Sequence, residues 1–156
     1  MNNRDLGRSL DAALEQVLER MFFIGVLGDA LPEDSAAQPV RARLSFAGSP
    51  SGSLELRISR SAARSVAADF LVVEESDLTG TQVDDVVCEM ANMICGAALS
   101  RLETDIRLDA PRVLEGAATT NRPASVLRSL DIGNGTITVQ LEFDGVACCR
   151  NEEFGS

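Results

Sequence analysis

"VDDVVCEMANMICGAALSRLETD", Val83 to Asp105, is the stretch on which the reading of this chain turns. At 100° per residue, with Glu89 set at zero, Val86, Met90, Ile94, Ala97 and Val83 fall between about 60° and 140°. Val87, Ala98 and Ala91 follow at about 160° to 200°, and Cys95 and Cys88 at about 240° to 260°. The strip that remains, about 80° wide, collects Gln82, Asp85, Glu89, Asn92, Gly96, Ser100 and Glu103. A helix that is apolar on nearly every side is a core helix, and only this strip can face water. Glu89 and Asn92, at i and i+3, project side by side from it. Gly96 costs roughly 1 kcal/mol against Ala in a helix interior, so it calls for a reason. Close approach by another surface is one such reason.

Outward from that helix, the order of elements comes from periodicity. "LDAALEQVLERMFFIGVL" places Leu10, Leu14, Val17, Leu18 and Met21 at helical spacing and predicts a helix from Leu10 to about Leu27, weakened at its end by Gly25 and Gly28. "GDALPEDSAAQP" reads as a loop. "VRARLSF" and "LELRIS" alternate across a Gly/Ser/Pro turn and predict a β-hairpin. A shorter helix is expected from about Ser61 to Val72. Thr81 with Asp84 resembles a capping box opening the long helix, which is expected to run to about Thr104. Val113 and Leu114 read as a short strand. A last hairpin turns at Asn134-Gly135 between "ASVLRSLDI" and "TITVQLEF", with "GVACCR" extending or edging the sheet.

A helix followed by a hairpin therefore occurs twice, from Leu10 to Ser59 and from Gln82 to Phe143, with negligible sequence identity between the halves. The fold class this implies is α+β: a largely antiparallel sheet covered on one face by long helices and built from a two-fold helix–hairpin repeat. A single domain over residues 1–150 and a frayed tail at 151–156 complete the organisation.

Composition narrows the function. The chain has 156 residues, a net charge of −10 and no His. Its only basic side chains are arginines. That balance disfavours nucleic acid and anionic membranes as partners. It removes Walker lysines, Schiff bases, Ser-His or Cys-His nucleophiles and His-containing metal sites. No apolar run spans a membrane and no signal peptide opens the chain, so the expected location is cytoplasmic. The four cysteines form no C-x-x-C; Cys88 and Cys95 read as core thiols. Asp84 and Asp85 point about 100° apart, which argues against a metal site with Glu89.

A bare E-x-x-N is common by chance, and the plain reading of the strip is the solvated edge of a core helix, with Gly96 admitting a neighbouring strand. The extended string is more specific. "EMANMICG" followed by "IRLDAPRVLEG" resembles the CheC/CheX family of chemotaxis phosphatases. Glu89, Asn92, Met93, Ile94, Gly96, Pro111, Val113 and Gly116 stand in that family's motif places. "VLERMFF" and "GSLELRIS" look like the CheX branch. CheC-type members carry a second Glu-x-x-Asn in the first helix, where this chain has Glu15-x-x-Leu18 and Glu19-x-x-Phe22. The resemblance thus implies one site per chain, with Arg20, Phe22 and Phe23 packing or flanking it.

On its own a Glu and an Asn make a poor phosphatase, because neither supplies the positive charge that phosphoryl transfer needs. The resemblance implies a partner that does: the receiver domain of a CheY-like response regulator, with its aspartyl phosphate, lysine and Mg²⁺. Glu89 and Asn92 are then the expected catalytic pair. Asn92 would hold the attacking water and Glu89 would engage the receiver's lysine. Asp85, Gly96 and Ser100, on the same strip, are the expected partner contacts. The chain would need no cofactor of its own. The alternative is a non-catalytic receiver-binding or flagellar-switch-like docking module. CheX-type relatives also imply a homodimer formed by pairing sheet edges, for which Thr136–Phe143 is the expected edge.

Overall fold

The computed structural model describes residues 3–30, 39–48, 51–101, 105–115 and 125–144. In chain order they form α1 (Asn3–Glu15), continued by a π-helical turn (Gln16–Met21), then β1 (Gly28–Asp29), β2 (Val40–Gly48), β3 (Gly52–Ile58) and α2 (Arg60–Leu71). A 3₁₀ turn (Glu75–Asp77) leads to α3 (Gly80–Leu99), β4 (Ile106–Leu108), β5 (Arg112–Leu114), β6 (Val126–Asp131) and β7 (Thr136–Phe143). No helix among these residues is long and apolar enough to cross a membrane.

The strands make one antiparallel sheet in the order β1-β6-β7-β3-β2-β4, with β5 also paired to β2. The two hairpins meet at its centre, where β3 and β7 run in register from Gly52 opposite Phe143 to Ile58 opposite Ile137. Each half sends its short strand to the other half's hairpin. β1, which follows the first helix, pairs with β6, while β4 and β5, which follow α3, pair with β2. The expected repeat is thus an interlocked one, and this exchange ties the halves into a single core.

Alternation decides which face is dry. Leu54, Leu56 and Ile58 of β3 and Ile137, Val139 and Leu141 of β7 are almost fully buried beneath the helices. α3 lies over β2 and β3, α1 lies over β6, and both α1 and α2 pack on α3. The opposite face is polar yet also shielded. There Arg41 and Glu55 are buried and pair at 3.4 Å, Arg41 donates to the Glu115 carbonyl at 3.2 Å, and the Ser129 and Thr138 hydroxyls meet at 2.8 Å. Buried polar groups with partners hold strand register at little net cost.

Several expectations need correction. The first helix stops at Met21 rather than Leu27, and its last turn is π-helical, with Phe22 N–H donating to the Val17 carbonyl. The wider turn holds an extra residue and rotates the apolar phase by one position. Met21 is therefore 47% exposed while Phe22 is buried, the reverse of the α-helical expectation. The capping box of α3 starts at Thr79, not Thr81: the Thr79 hydroxyl accepts from Gln82 N–H and the Gln82 side chain accepts from Thr79 N–H. A Gln reaches back to the cap better than the shorter Asp84 does.

The second hairpin turns on Gly133-Asn134, with Ile132 N–H donating to the Gly135 carbonyl. Gly133, at φ +97°, supplies the positive φ of the turn, one position before the expected dipeptide. Ile106–Leu108 is a strand that periodicity over so few residues did not reveal. Most consequentially, β7 is not an edge: β3 and β6 occupy both of its sides. The expected extension at 145–150, the tail at 151–156, Glu103, Thr104 and Gly116 lie outside the described residues.

Candidate functional site

α3 positions the site because its burial is so complete. Val83, Val86, Val87, Met90, Ala91, Ile94, Cys95, Ala98 and Leu99 are all buried, whereas Asp85 and Glu89 are exposed and Gln82, Asn92 and Gly96 half-buried. The open strip is therefore where helical geometry puts it. Glu89 and Asn92 sit one turn apart on it, with Cβ atoms about 5–6 Å apart by helix geometry. Among the described residues neither side chain has a hydrogen-bond or ion-pair partner. A carboxylate and an amide held on a rigid, deeply packed helix and left unengaged are available to an outside molecule.

The strip is not uniform. At its N-terminal end Gln82, Asp85 and Glu89 form one wall of a groove of about 410 Å³, with Val86 at its floor and Phe70 and Leu71 opposite. At its C-terminal end Ser100 caps the helix, and its hydroxyl donates to the Ala97 carbonyl at 2.9 Å. Of the three expected partner contacts, Asp85 thus shares the groove with Glu89, and Ser100 is engaged in ending its own helix. Gly96 is the third. A Cβ built there would meet only Leu108 Cδ1 at 3.8 Å, an ordinary contact, so packing of β4 does not require the glycine.

The electrostatics are acidic. Asp85 and Glu89 have no cation beside them among the described residues. No group of three or more metal-ligating side chains gathers there, and Asp84 is half-buried while Asp85 is exposed. The thiols are quiet. Burial, then the nearby Asp84 and Asp85 carboxylates, pushes the Cys88 thiol up from its ordinary value, and burial pushes Cys95 up to about 12. Both stay protonated at neutral pH, as core thiols do.

The sequence reading missed the groove. Its far wall, Phe70 and Leu71, opens "FLVV", Phe70 to Val73, a run of four apolar side chains between an Asp and two Glu at the end of a short helix. Four adjacent apolar residues cannot all point into a core from a helix end, and that was the available signal. Phe22 lies behind the wall, its ring stacked on Phe70 at 4.7 Å, whereas Phe23 is 86% exposed.

The architecture is the fold of the CheC/CheX-type proteins. Among solved structures, CheX of Borrelia burgdorferi, in its complex with CheY, BeF₃ and Mg²⁺, superposes with a TM-score of 0.73 at 18% identity, covering 87% of this chain and 96% of that one. CheX of Vibrio vulnificus gives 0.73 at 20% identity over 92% and 99%. A CheC-like superfamily protein of Shewanella sp. PV-4 gives 0.73 at 21% identity over 93% and 100%. The comparison with curated protein sequences returned no match. The profile of the chemotaxis phosphatase CheX family matches residues 40–130, more than half of the chain, and the chain belongs to that family.

Proposed function

We propose that this protein is a phosphatase of a CheY-like response regulator, releasing inorganic phosphate from the receiver's aspartyl phosphate. The observation that carries this reading is the unengaged Glu89–Asn92 pair on the single open strip of a buried helix, within a chain of the chemotaxis phosphatase family. The Borrelia relative was solved with CheY, BeF₃ and Mg²⁺, which supports a receiver as the partner class.

The division of labour follows from what each side lacks. This chain's strip brings no cation, so the charge that neutralises the phosphoryl oxygens comes from the receiver, whose lysine and Mg²⁺ surround the phosphate. An acyl phosphate is already activated and needs a placed water. The Asn92 amide accepts from and donates to that water without removing its proton, so its role is orientation. Glu89 accepts a charge-assisted hydrogen bond from the receiver's lysine and sets the docking pose. The water oxygen bonds to phosphorus, the P–O bond to the aspartyl carboxyl breaks and its electron pair leaves with the carboxylate, while the water's protons stay on the released phosphate until solvent takes one. The homodimer implied by the CheX likeness would have to pair through β1 or through β4 and β5, since β7 is internal; mass by light scattering at micromolar concentration tests it.

The deciding experiment is phosphate release from a phosphorylated receiver. Wild type should shorten the phosphate lifetime, and Asn92→Ala should lose about 10²-fold in rate, the scale of a lost positioning contact. An Asn92→Ala rate equal to wild type would remove this mechanism. Receiver binding with no effect on phosphate lifetime would leave a docking module instead.

A further inference from the structure

Seven large apolar side chains are more than a third exposed among the described residues, and they come from only two segments: Met21, Phe23 and Leu27, and Phe70, Leu71, Val72 and Val73. The two segments are neighbours, joined by the Phe22–Phe70 stack. Each holds one of the two non-glycine residues found at positive φ, Phe23 at +57° and Val72 at +58°. For an aromatic and a β-branched residue that conformation is costly, and such cost concentrates at functional surfaces. Phe23 and Val72 are also 86% and 87% exposed, so the backbone spends energy to display apolar groups to solvent. A π-helical turn, another feature that gathers at functional sites, ends at Met21, two residues before Phe23.

We propose that the groove between the end of α2 and α3, with this apolar shelf beside it, is the specificity-determining seat for the receiver. Its occupant is a receiver surface that presents an apolar side chain next to a cation. The inference rests on the phosphatase reading of the Glu89–Asn92 strip and goes beyond it. Two observations select the occupant. Glu89 belongs both to the strip and to the groove, so a molecule engaged at Asn92 meets the groove and its Phe70–Leu71 wall next. The other acid on the groove wall, Asp85, and the exposed Asp69 nearby have no cationic partner among the described residues, which favours a basic rim on the visitor. A second copy of this chain, at net charge −10, would bring like charge to an acidic groove and is disfavoured.

The test measures affinity and turnover separately. Receivers of the CheY type from the same organism, activated with beryllium fluoride and Mg²⁺, are titrated against wild type, Leu71→Arg, Asp85→Arg and Asp144→Arg, and turnover is followed on the phosphorylated form. Both groove variants should weaken binding and raise KM by about tenfold or more, with kcat at saturation changed less than about twofold. Asp144→Arg makes the same charge change on a distant hairpin and should leave affinity as it is. Unfolding midpoints close to wild type show that the groove variants remain folded. Unchanged affinity in both folded groove variants overturns the proposal, as does wild-type binding to none of the receivers. A change of oligomeric mass without a change in receiver binding also overturns it, in favour of a second copy. Binding that depends on the groove but leaves phosphate lifetime unaltered supports the seat while removing the phosphatase reading.

Discussion

α1 with its π turn and α3 open the two halves of the same sheet, yet only α3 presents an acid and an amide side by side on an open strip. α3 is apolar over most of its circumference and the first helix over one face only, and both hold glutamates on the open side. In α3 the residue three positions after Glu89 is Asn92, half-buried and unengaged. In the first helix the corresponding positions after Glu15 and Glu19 are Leu18 and Phe22, whose exposures are 0% and 3%. One half therefore uses that position to anchor the core, and the other leaves it open. The π turn widens the contrast, since it turns Phe22 inward against Phe70 and leaves Phe23 outside. A duplicated architecture does not duplicate its surface: the phase of one side chain decides whether a position is buried or open.

Installing the missing amide breaks the comparison most directly. Leu18→Asn would recreate Glu-x-x-Asn in the first helix, but it removes a fully buried Leu and buries an amide with no partner. The expected cost is about 3–5 kcal/mol in chemical denaturation, with no gain in turnover per folded molecule. A variant with unchanged stability and doubled activity would show that the two helices are interchangeable after all. Asn92→Ala is the complementary change. It should cost about 10²-fold in receiver dephosphorylation and leave the fold no less stable, with a gain of up to about 0.7 kcal/mol from helix propensity, because the amide makes no internal hydrogen bond.

The same contrast governs what could be read from sequence. The two hairpins, α2, α3 and the open strip follow from periods of 2 and 3.6, which are set by burial and survive in a single chain. The same period puts Asp85, Glu89 and Asn92 on the open side of α3, where they are exposed or half-buried. Illegible features share a different origin. The π turn depends on one extra residue in a hydrogen-bonded ring, which no apolar pattern encodes, so Met21 and Phe22 were exchanged. The internal position of β7 depends on which strand the other half pairs with, a non-local choice. β4 is too short to show a period. The groove wall was missed although its signal stood in the sequence, because Phe70 and Leu71 taken singly look like core residues, and only their crowding at the expected helix end shows that they cannot all be buried.

A third expectation concerns the buried flank of α3, opposite in character to the strip. With no Lys and no Tyr in the chain, cysteines are the side chains that titrate between pH 9 and 12. Cys95 is held at about 12 against an ordinary value of 9.0. Above pH 9 the unfolded chain releases this proton while the folded chain keeps it, so stability is full below pH 9 and falls as pH rises toward 12. The slope is about 1.4 kcal/mol per pH unit for one thiol. Cys95→Ala should flatten the curve of unfolding free energy against pH by about that slope. An unaltered slope would mean that solvent reaches the thiol, and that this flank is less closed than the packing requires.

The smallest effect is the sharpest test of the strip itself, because its two readouts carry opposite signs. Gly96→Ala adds a methyl that meets only Leu108 at 3.8 Å within the chain. Folding should accept it and gain up to about 1 kcal/mol from helix propensity. If a receiver surface lies against this turn, the same methyl should weaken its binding. A variant that is more stable and binds less well assigns the glycine to docking. One that is more stable and binds equally well removes Gly96 from the interface while leaving Glu89 and Asn92 in place. Loss of stability would return the glycine to the packing of β4, and with it the plain reading of this part of the helix as a solvated edge.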